Sequence, residues 1–487
     1  MRKAFLALAL VVGLAAVVMF GCGGGSSIQP VNLGSGSLVL FGGDAPLCNV
    51  FSFSVTITGA TLTPQNGGAP VSVLPPGQSL TVDFARLLDF TTVLNLASVP
   101  AGTYSQMTLT LADPRLTVID VTQTPPTPVA ITTSLTRATV TIILDPPLTV
   151  PENGAVGLLL DFHLLRSVQV DANGQVTGLV NPVISVIQTS ASGSDGLGRL
   201  DDMHGLVKSV TTTSSDPAFT GSFTLQTRAG TGLVFTIHVT SNTLFEGVTG
   251  LGDLTAEAFV EVDAIVDTSG NIVAKEVEVQ GTVEASQGKA AFEGLVLAVT
   301  RDGRGNATQF NLFVREEHPD VSDSISLRSA LVVNLSGATR FGITRPGMNE
   351  AQLVFDPTTV GVGQNVIAHG VFHTGSPNTL DAGALFLRPQ VLRGNFTELL
   401  AVGNDGKTGG FNLAPCSSLF RGQLITVFTF GDTGFFGVSD LNGLSTQRPL
   451  HVKGLLFYEP GILTVNGITV PPPSLVMEAR RVHQPQP

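Results

Sequence analysis

Tryptophan is absent from this 487-residue chain, and tyrosine occurs only twice, at Tyr104 and Tyr458. Flat platforms on which bases or sugars stack are therefore scarce. Charge is also sparse: 13% of residues are charged, and 25 Lys+Arg against 37 Asp+Glu leave a net charge of −12. The basic residues are scattered and form no stripe that would release counterions from a polyphosphate, so nucleic acid is not expected as a partner. Cysteine occurs three times, at Cys22, Cys48 and Cys416, which excludes a disulfide framework.

What is abundant is Gly (55), Pro (29) and hydrophobic residues (43%), a balance that favours short strands and tight turns over helices. The expected fold class is all-β, with most of the 28 Phe in cores. The length exceeds what one hydrophobic core accommodates and implies three or four domains.

The N-terminus reads as an address. Arg2 and Lys3 precede an apolar run from Ala4 to Phe20, and Gly21-Cys22 ends it. This segment resembles a bacterial lipoprotein signal, in which residues 1–22 form the signal and Cys22 is the lipidation site; Phe20 departs from the usual small residue. The alternative is an uncleaved membrane anchor, because the run lies at the lower edge of a spanning length. The Gly/Ser-rich residues 23–36 read as a flexible tether. In lipoproteins of diderm bacteria, Gly rather than Asp after the cysteine implies release to the outer membrane, and Gly23 stands there. Membrane attachment through the lipid and a location in the cell envelope, facing periplasm or cell surface, follow as expectations. Export permits a bridge between Cys48 and Cys416, but buried free thiols are the expectation.

From Ser37 the chain alternates at the period of a half-buried strand, with Phe51, Phe53, Val55 and Ile57 on one side and Ser52, Ser54, Thr56 and Thr58 on the other. A brief helix is conceivable only near Phe84 to Leu94. Several stretches in residues 37–191 resemble domain-of-unknown-function family 4382: Gly36-Ser37-Leu38-Val39, Asp44-Ala45-Pro46, Leu87-Leu88-Asp89-Phe90, Val99-Pro100-Ala101-Gly102-Thr103-Tyr104, Leu160-Asp161-Phe162 and Asn181-Pro182-Val183-Ile184. That resemblance implies a prealbumin-like β-sandwich and carries no activity. His163 stands where the family commonly has a carboxylate, and reads as a half-buried or surface strand residue.

After a linker at residues 192–202, a pattern recurs three times. Each unit opens on a Gly before an apolar strand (Gly205, Gly294, Gly394). A second strand follows (Phe223-Thr224-Leu225, Phe310-Asn311-Leu312, Phe411-Asn412-Leu413), then a Thr-x-Phe element at Thr243, Thr339 and Thr433, then a long hairpin. The opening glycines are 89 and then 100 residues apart, so each unit is large enough to fold alone. The units span 203–284, 290–391 and 392–483, and resemble domain-of-unknown-function family 5666, which implies three small OB-like β-barrel repeats.

Candidate chemistry is thin. His369 and His373, four apart on a strand, stand too far apart to chelate one metal. Asp171-Ala172-Asn173-Gly174 and Asp302-Gly303-Arg304-Gly305-Asn306 read as hairpin turns rather than calcium loops. Gly34-Ser35-Gly36 and Gly193-Ser194-Asp195 read as tethers, not nucleophile elbows. Glu316-Glu317-His318, polar and followed by Pro319, reads as a solvated loop. No catalytic residue, metal ligand or cofactor is expected. The chain thus reads as a non-catalytic, lipid-anchored envelope protein with a structural or interaction role toward an envelope protein or glycan. The alternative is a surface lipoprotein that binds a glycan or small ligand, around Tyr458, His451 and Lys453.

Overall fold

A computed structural model describes residues 35–45, 47–74, 77–86, 92–172, 175–189, 196–227, 234–282, 288–318, 328–343 and 353–485. Cys22, the signal segment, the start of the tether, Leu87-Leu88-Asp89-Phe90 and Asn173-Gly174 lie outside them. Among the described residues no helix is long and apolar enough to cross a membrane.

The chain is all-β, beginning with the expected sandwich. In one sheet, Ser35–Ala45 runs parallel to Ala155–His163 and antiparallel to Thr92–Pro100, with Ile184–Thr189 at the edge. The other is built on the long pair Ser52–Pro64 and Gly102–Asp120. Alternation places Phe53, Val55 and Ile57 between the sheets, where Phe53 and Phe84 each stand 5.0 Å from Phe162. Tyr104, within the Val99–Tyr104 motif, is buried and donates its hydroxyl hydrogen to the Pro100 carbonyl at 2.7 Å, which ties down that corner.

Four local expectations are corrected. The Gly34-Ser35-Gly36 tether is strand from Ser35 onward, and Gly36 serves close packing: a Cβ there would meet the Pro151 carbonyl oxygen at 2.3 Å. Likewise Gly198–Asp202, assigned to a linker, open the first barrel's Gly198–Thr211 strand. Near Phe84 the only helical residues described are the 3₁₀ turn Phe84–Arg86, and Thr92–Pro100 is strand. Phe51 precedes its strand at a bend and leaves the sandwich core to meet Phe313 of the second barrel edge-on at 6.5 Å.

Each repeat is a closed five-stranded barrel. In the first, Val234–Val239, Gly221–Gln226, Gly198–Thr211, Ala258–Val266 and Ile272–Thr282 are neighbours in that order, and the first and last pair in parallel. The second and third barrels repeat that order and that parallel closure. This is the strand order of an OB-like barrel, and closure removes free sheet edges.

The recurring residues now have physical reasons. A Cβ on the opening glycines would fall 2.1 Å (Gly205), 1.8 Å (Gly294) or 2.3 Å (Gly394) from a carbonyl oxygen of the paired strand, so only hydrogen fits. The Thr of each Thr-x-Phe element donates to an alanine carbonyl in the barrel's last hairpin: Thr243 to Ala274 at 2.8 Å, Thr339 to Ala382 at 2.7 Å and Thr433 to Ala479 at 2.9 Å. Its hydroxyl oxygen also accepts from the backbone N–H three residues earlier, at Thr240, Ser336 and Phe430. The third barrel's long hairpin carries a small one, Leu463–Val465 with Ile468–Val470, turned by Asn466-Gly467 with both φ positive.

Residues 34–487 form one compact unit. Cys48 and Cys416 are joined in a disulfide between the sandwich and the third barrel, which corrects the expectation of free thiols. Asn49 accepts the Ser418 amide hydrogen beside it at 3.0 Å, and Arg421 donates to the Val121 carbonyl at 3.3 Å. On the second barrel, Arg315 donates to the Phe51 carbonyl at 3.2 Å and Arg328 to the Ser52 hydroxyl at 2.6 Å. Ser52 and Ser54, which alternation had turned toward solvent, are both buried, and Ser52 also donates to Asp83 of the sandwich's own sheet. Val39 and the partly buried Ala155 and Leu159 of the sandwich pack into the first barrel's cluster. The second and third barrels share one apolar cluster, from Phe292 and Phe310 to Phe428 and Phe457.

Candidate functional site: a buried His and Glu cluster between two barrels

The interior of each barrel is apolar, so charged residues that alternate with core positions face outward. On the first barrel, Met203, Val207, Val260 and Val262 point in, leaving His204, Leu206, Phe259 and Glu261 outside. On the second, Phe292, Val314, Val366 and Ala368 point in, leaving Ala291, Glu293, Glu316, His318, Ile367 and His369 outside. These two outer faces meet. Leu206, Phe259, Ala291 and Ile367 form a small apolar patch at the contact, with the polar residues gathered around it.

His204 Nε2 lies 2.9 Å from Glu293 Oε2 and 3.2 Å from Glu316 Oε2, while His318 Nε2 lies 3.2 Å from Glu316 Oε1. These four residues are between 2% and 8% exposed, so bulk water does not screen them. Asn365 donates to Glu293 Oε1 at 3.2 Å and holds that carboxylate's other oxygen. Gln280 donates to Glu261 at 2.9 Å, and Arg388 stands 3.6 Å from the same Glu261 oxygen. Register pairs Ala291 with both His318 and His369, and the Phe259 ring enters from the first barrel 5.1 Å from one imidazole and 5.0 Å from the other.

Burial by itself would lower the His204 pKa. The carboxylates of Glu316 and Glu293 outweigh burial and the Arg388 charge, and raise it to about 9. His369 is pushed down to about 3, first by burial and then by the positive charge of His318, Arg340, His204 and Arg388. Its two ring nitrogens have no hydrogen-bond partner among the described residues. His369 is thus a neutral ring packed against Phe259 and Phe386.

This geometry corrects the reading of Glu316-Glu317-His318 as a solvated loop: the three end the Ala307–His318 strand and are buried. His369 and His373 do not act together, since His369 is buried and His373 is exposed, 3.0 Å from Asp381. His163 is half-buried beside Asp161 at 3.4 Å and Ser185 at 3.1 Å. Asp302 accepts from the Arg304 and Asn306 amides, the bonding of a tight turn, and Asp171 accepts from the Gln175 amide. Gly193-Ser194-Asp195 lies outside the described residues. Sequence reading missed His204 and Glu293. Their one signal is an outward charged residue immediately before each opening glycine, repeated as Arg393 before Gly394.

The ligand-binding alternative in the third barrel does not gather. Tyr458 lies seven residues beyond His451 on the Pro449–Glu459 strand, roughly 23 Å away. Its ring sits under the Arg301 guanidinium of the second barrel, 4.5 Å away, while Lys453 is buried. Next to Tyr458, burial and the Asp356 charge raise the Glu459 pKa to about 7. The folded state therefore holds this proton in a window, from the ordinary value of 4.5 up to about 7, where the unfolded chain has released it, and stability falls as pH rises through that window. Glu459→Gln should remove this slope and stabilise the protein above pH 7 by about 1 kcal/mol, a value discounted for the half of the group that meets water. Urea unfolding at pH 5 and pH 8 checks it; an unchanged pH dependence would refute the assignment.

A sandwich with three OB-like barrels docked in one unit defines a multidomain all-β protein. Residues 35–177, the sandwich, match the family model described as domain of unknown function DUF4382, and residues 204–278, in the first barrel, match that of DUF5666. The two families thus follow one another in the order expected from the motifs. Comparison with curated proteins gave no match. Among solved structures, drosophila Unr CSD456 is similar at 9% identity and a TM-score of 0.14, over 58% of this chain and 97% of that one. So low a TM-score carries no argument.

Proposed function

We propose that this is an exported, lipid-anchored envelope protein whose sandwich and barrels form a non-catalytic structural or interaction unit. The observation that carries this reading is the Cys48–Cys416 disulfide, because such bonds form and persist in oxidising compartments outside the cytosol. The signal-like segment ending at Cys22, and Gly23 after it, support attachment by lipid to the outer membrane. Burial of the gathered His and Glu side chains between barrels suits a structural role better than turnover, which needs access for substrate.

Intact mass of the membrane-fraction protein tests this. The expected result is a mature species that begins at Cys22 and carries a diacylglyceryl mass, and that is lost in Cys22→Ala. An unprocessed N-terminus, or a soluble cleaved chain, would overturn the lipid anchor.

A further inference from the structure

We propose that His204, Glu316 and His318, completed by Glu293, form a binding site for one divalent transition ion of the zinc type, which staples the first barrel to the second. The three residues offer ligand atoms that all lie within 4.8 Å of one another, and each is buried. Ligand atoms 2.0–2.2 Å from a tetrahedral metal stand about 3.3 Å apart. The His204 separations of 2.9 Å to Glu293 and 3.2 Å to Glu316 are close to such edges, while His318 lies 3.2 Å from the other oxygen of Glu316, so that metal binding draws the second imidazole inward.

Hydrogen bonding accounts for the arrangement less well. His204 Nε2 faces oxygens of two different carboxylates, and a single N–H cannot point straight at both. Glu316 in turn presents each of its oxygens to a different imidazole. A cation among the four groups addresses all of these directions at once, and on binding it displaces to solvent the proton that the two carboxylates otherwise hold on His204. Two imidazoles with two carboxylates suit zinc better than calcium or magnesium, which prefer all-oxygen shells. The surroundings supply what such sites use: Asn365 orients Glu293, and Phe259 packs 5.9 Å from His204 and 5.1 Å from His318 to keep water out. Because His204 comes from the first barrel and the other three from the second, bound metal opposes their separation.

The test uses the full chain, purified without an affinity tag and treated with chelator, then titrated with Co²⁺ and Zn²⁺. Expected are one Co²⁺ per chain with the intense visible bands of a four-coordinate site, displacement by Zn²⁺, and a higher melting temperature with Zn²⁺ that chelator reverses. His318→Gln and Glu293→Gln should each weaken binding at least 10-fold, while His373→Gln, at an exposed site, should leave it unchanged. Should a variant fail to fold, the wild-type Co²⁺ spectrum and stoichiometry still decide. Weak six-coordinate bands, binding without a one-to-one end point, or a melting temperature indifferent to Zn²⁺ would overturn the proposal.

Discussion

Cys48→Ser/Cys416→Ser should melt on the order of 5 °C below the wild-type protein, and reductant should lower the wild type to the same temperature. The bond spans 368 positions of sequence, and the entropy removed from the unfolded chain by a cross-link grows with the loop it closes. For a loop this long the chain-entropy value reaches about 6 kcal/mol, above the usual range of what disulfides contribute. Its location concentrates the effect. The bond sits beside the Asn49 to Ser418 and Arg421 to Val121 hydrogen bonds and the apolar contact of Phe51, Ile119, Phe313 and Leu419, so opening it loosens the sandwich from the second and third barrels together. Calorimetry of the variant and of the reduced wild type checks this; equal melting of oxidised and reduced protein would mean that the noncovalent contacts alone hold the assembly.

Gly294→Ala should destabilise the second barrel by about 3 kcal/mol or more, or prevent its folding. The added methyl carbon would stand 1.8 Å from the Phe313 carbonyl oxygen, a backbone atom held in the adjoining strand, and relief would require the strands to part. Gly303→Ala is the control, since nothing lies within 4 Å of a Cβ there, and it should change stability by less than about 0.5 kcal/mol. Urea unfolding of the two variants decides; equal stability would show that the strands yield easily and that the recurring glycine has another cause.

The strands and repeats were legible because their signals are local. Phe53, Val55 and Ile57 alternate with polar residues, and the glycine and threonine of each repeat recur at corresponding places. Those signals report backbone period and close approach, which a single chain segment contains. What was not legible depends on a second segment. Glu316 and His318 look solvated beside Glu317 and Pro319, and only the first barrel, bringing His204 and Phe259 against them, buries them. Ser52 reads as a solvent-facing serine, yet it donates to Asp83 of a neighbouring strand and accepts from Arg328, 276 positions away. Cys48 and Cys416 carry no spacing that pairs them. Even the Gly/Ser composition misleads at Gly36, where the missing side chain makes room for Pro151 rather than supplying flexibility.

The link between residues 48 and 416 also sets how the protein responds to tension. Force applied between its two ends passes through the sulfur bridge and bypasses the 368-residue span that it encloses, which includes the first two barrels and most of the sandwich. Only the segments outside that span feel the full load. Among the described residues the first of them, Ser35–Ala45, is fastened lengthwise along Ala155–His163 by a parallel ladder, so a pull on its leading end loads many hydrogen bonds at once instead of peeling them one by one. Under mechanical load the bridged span therefore adds no length, and the pull falls on the segments outside it.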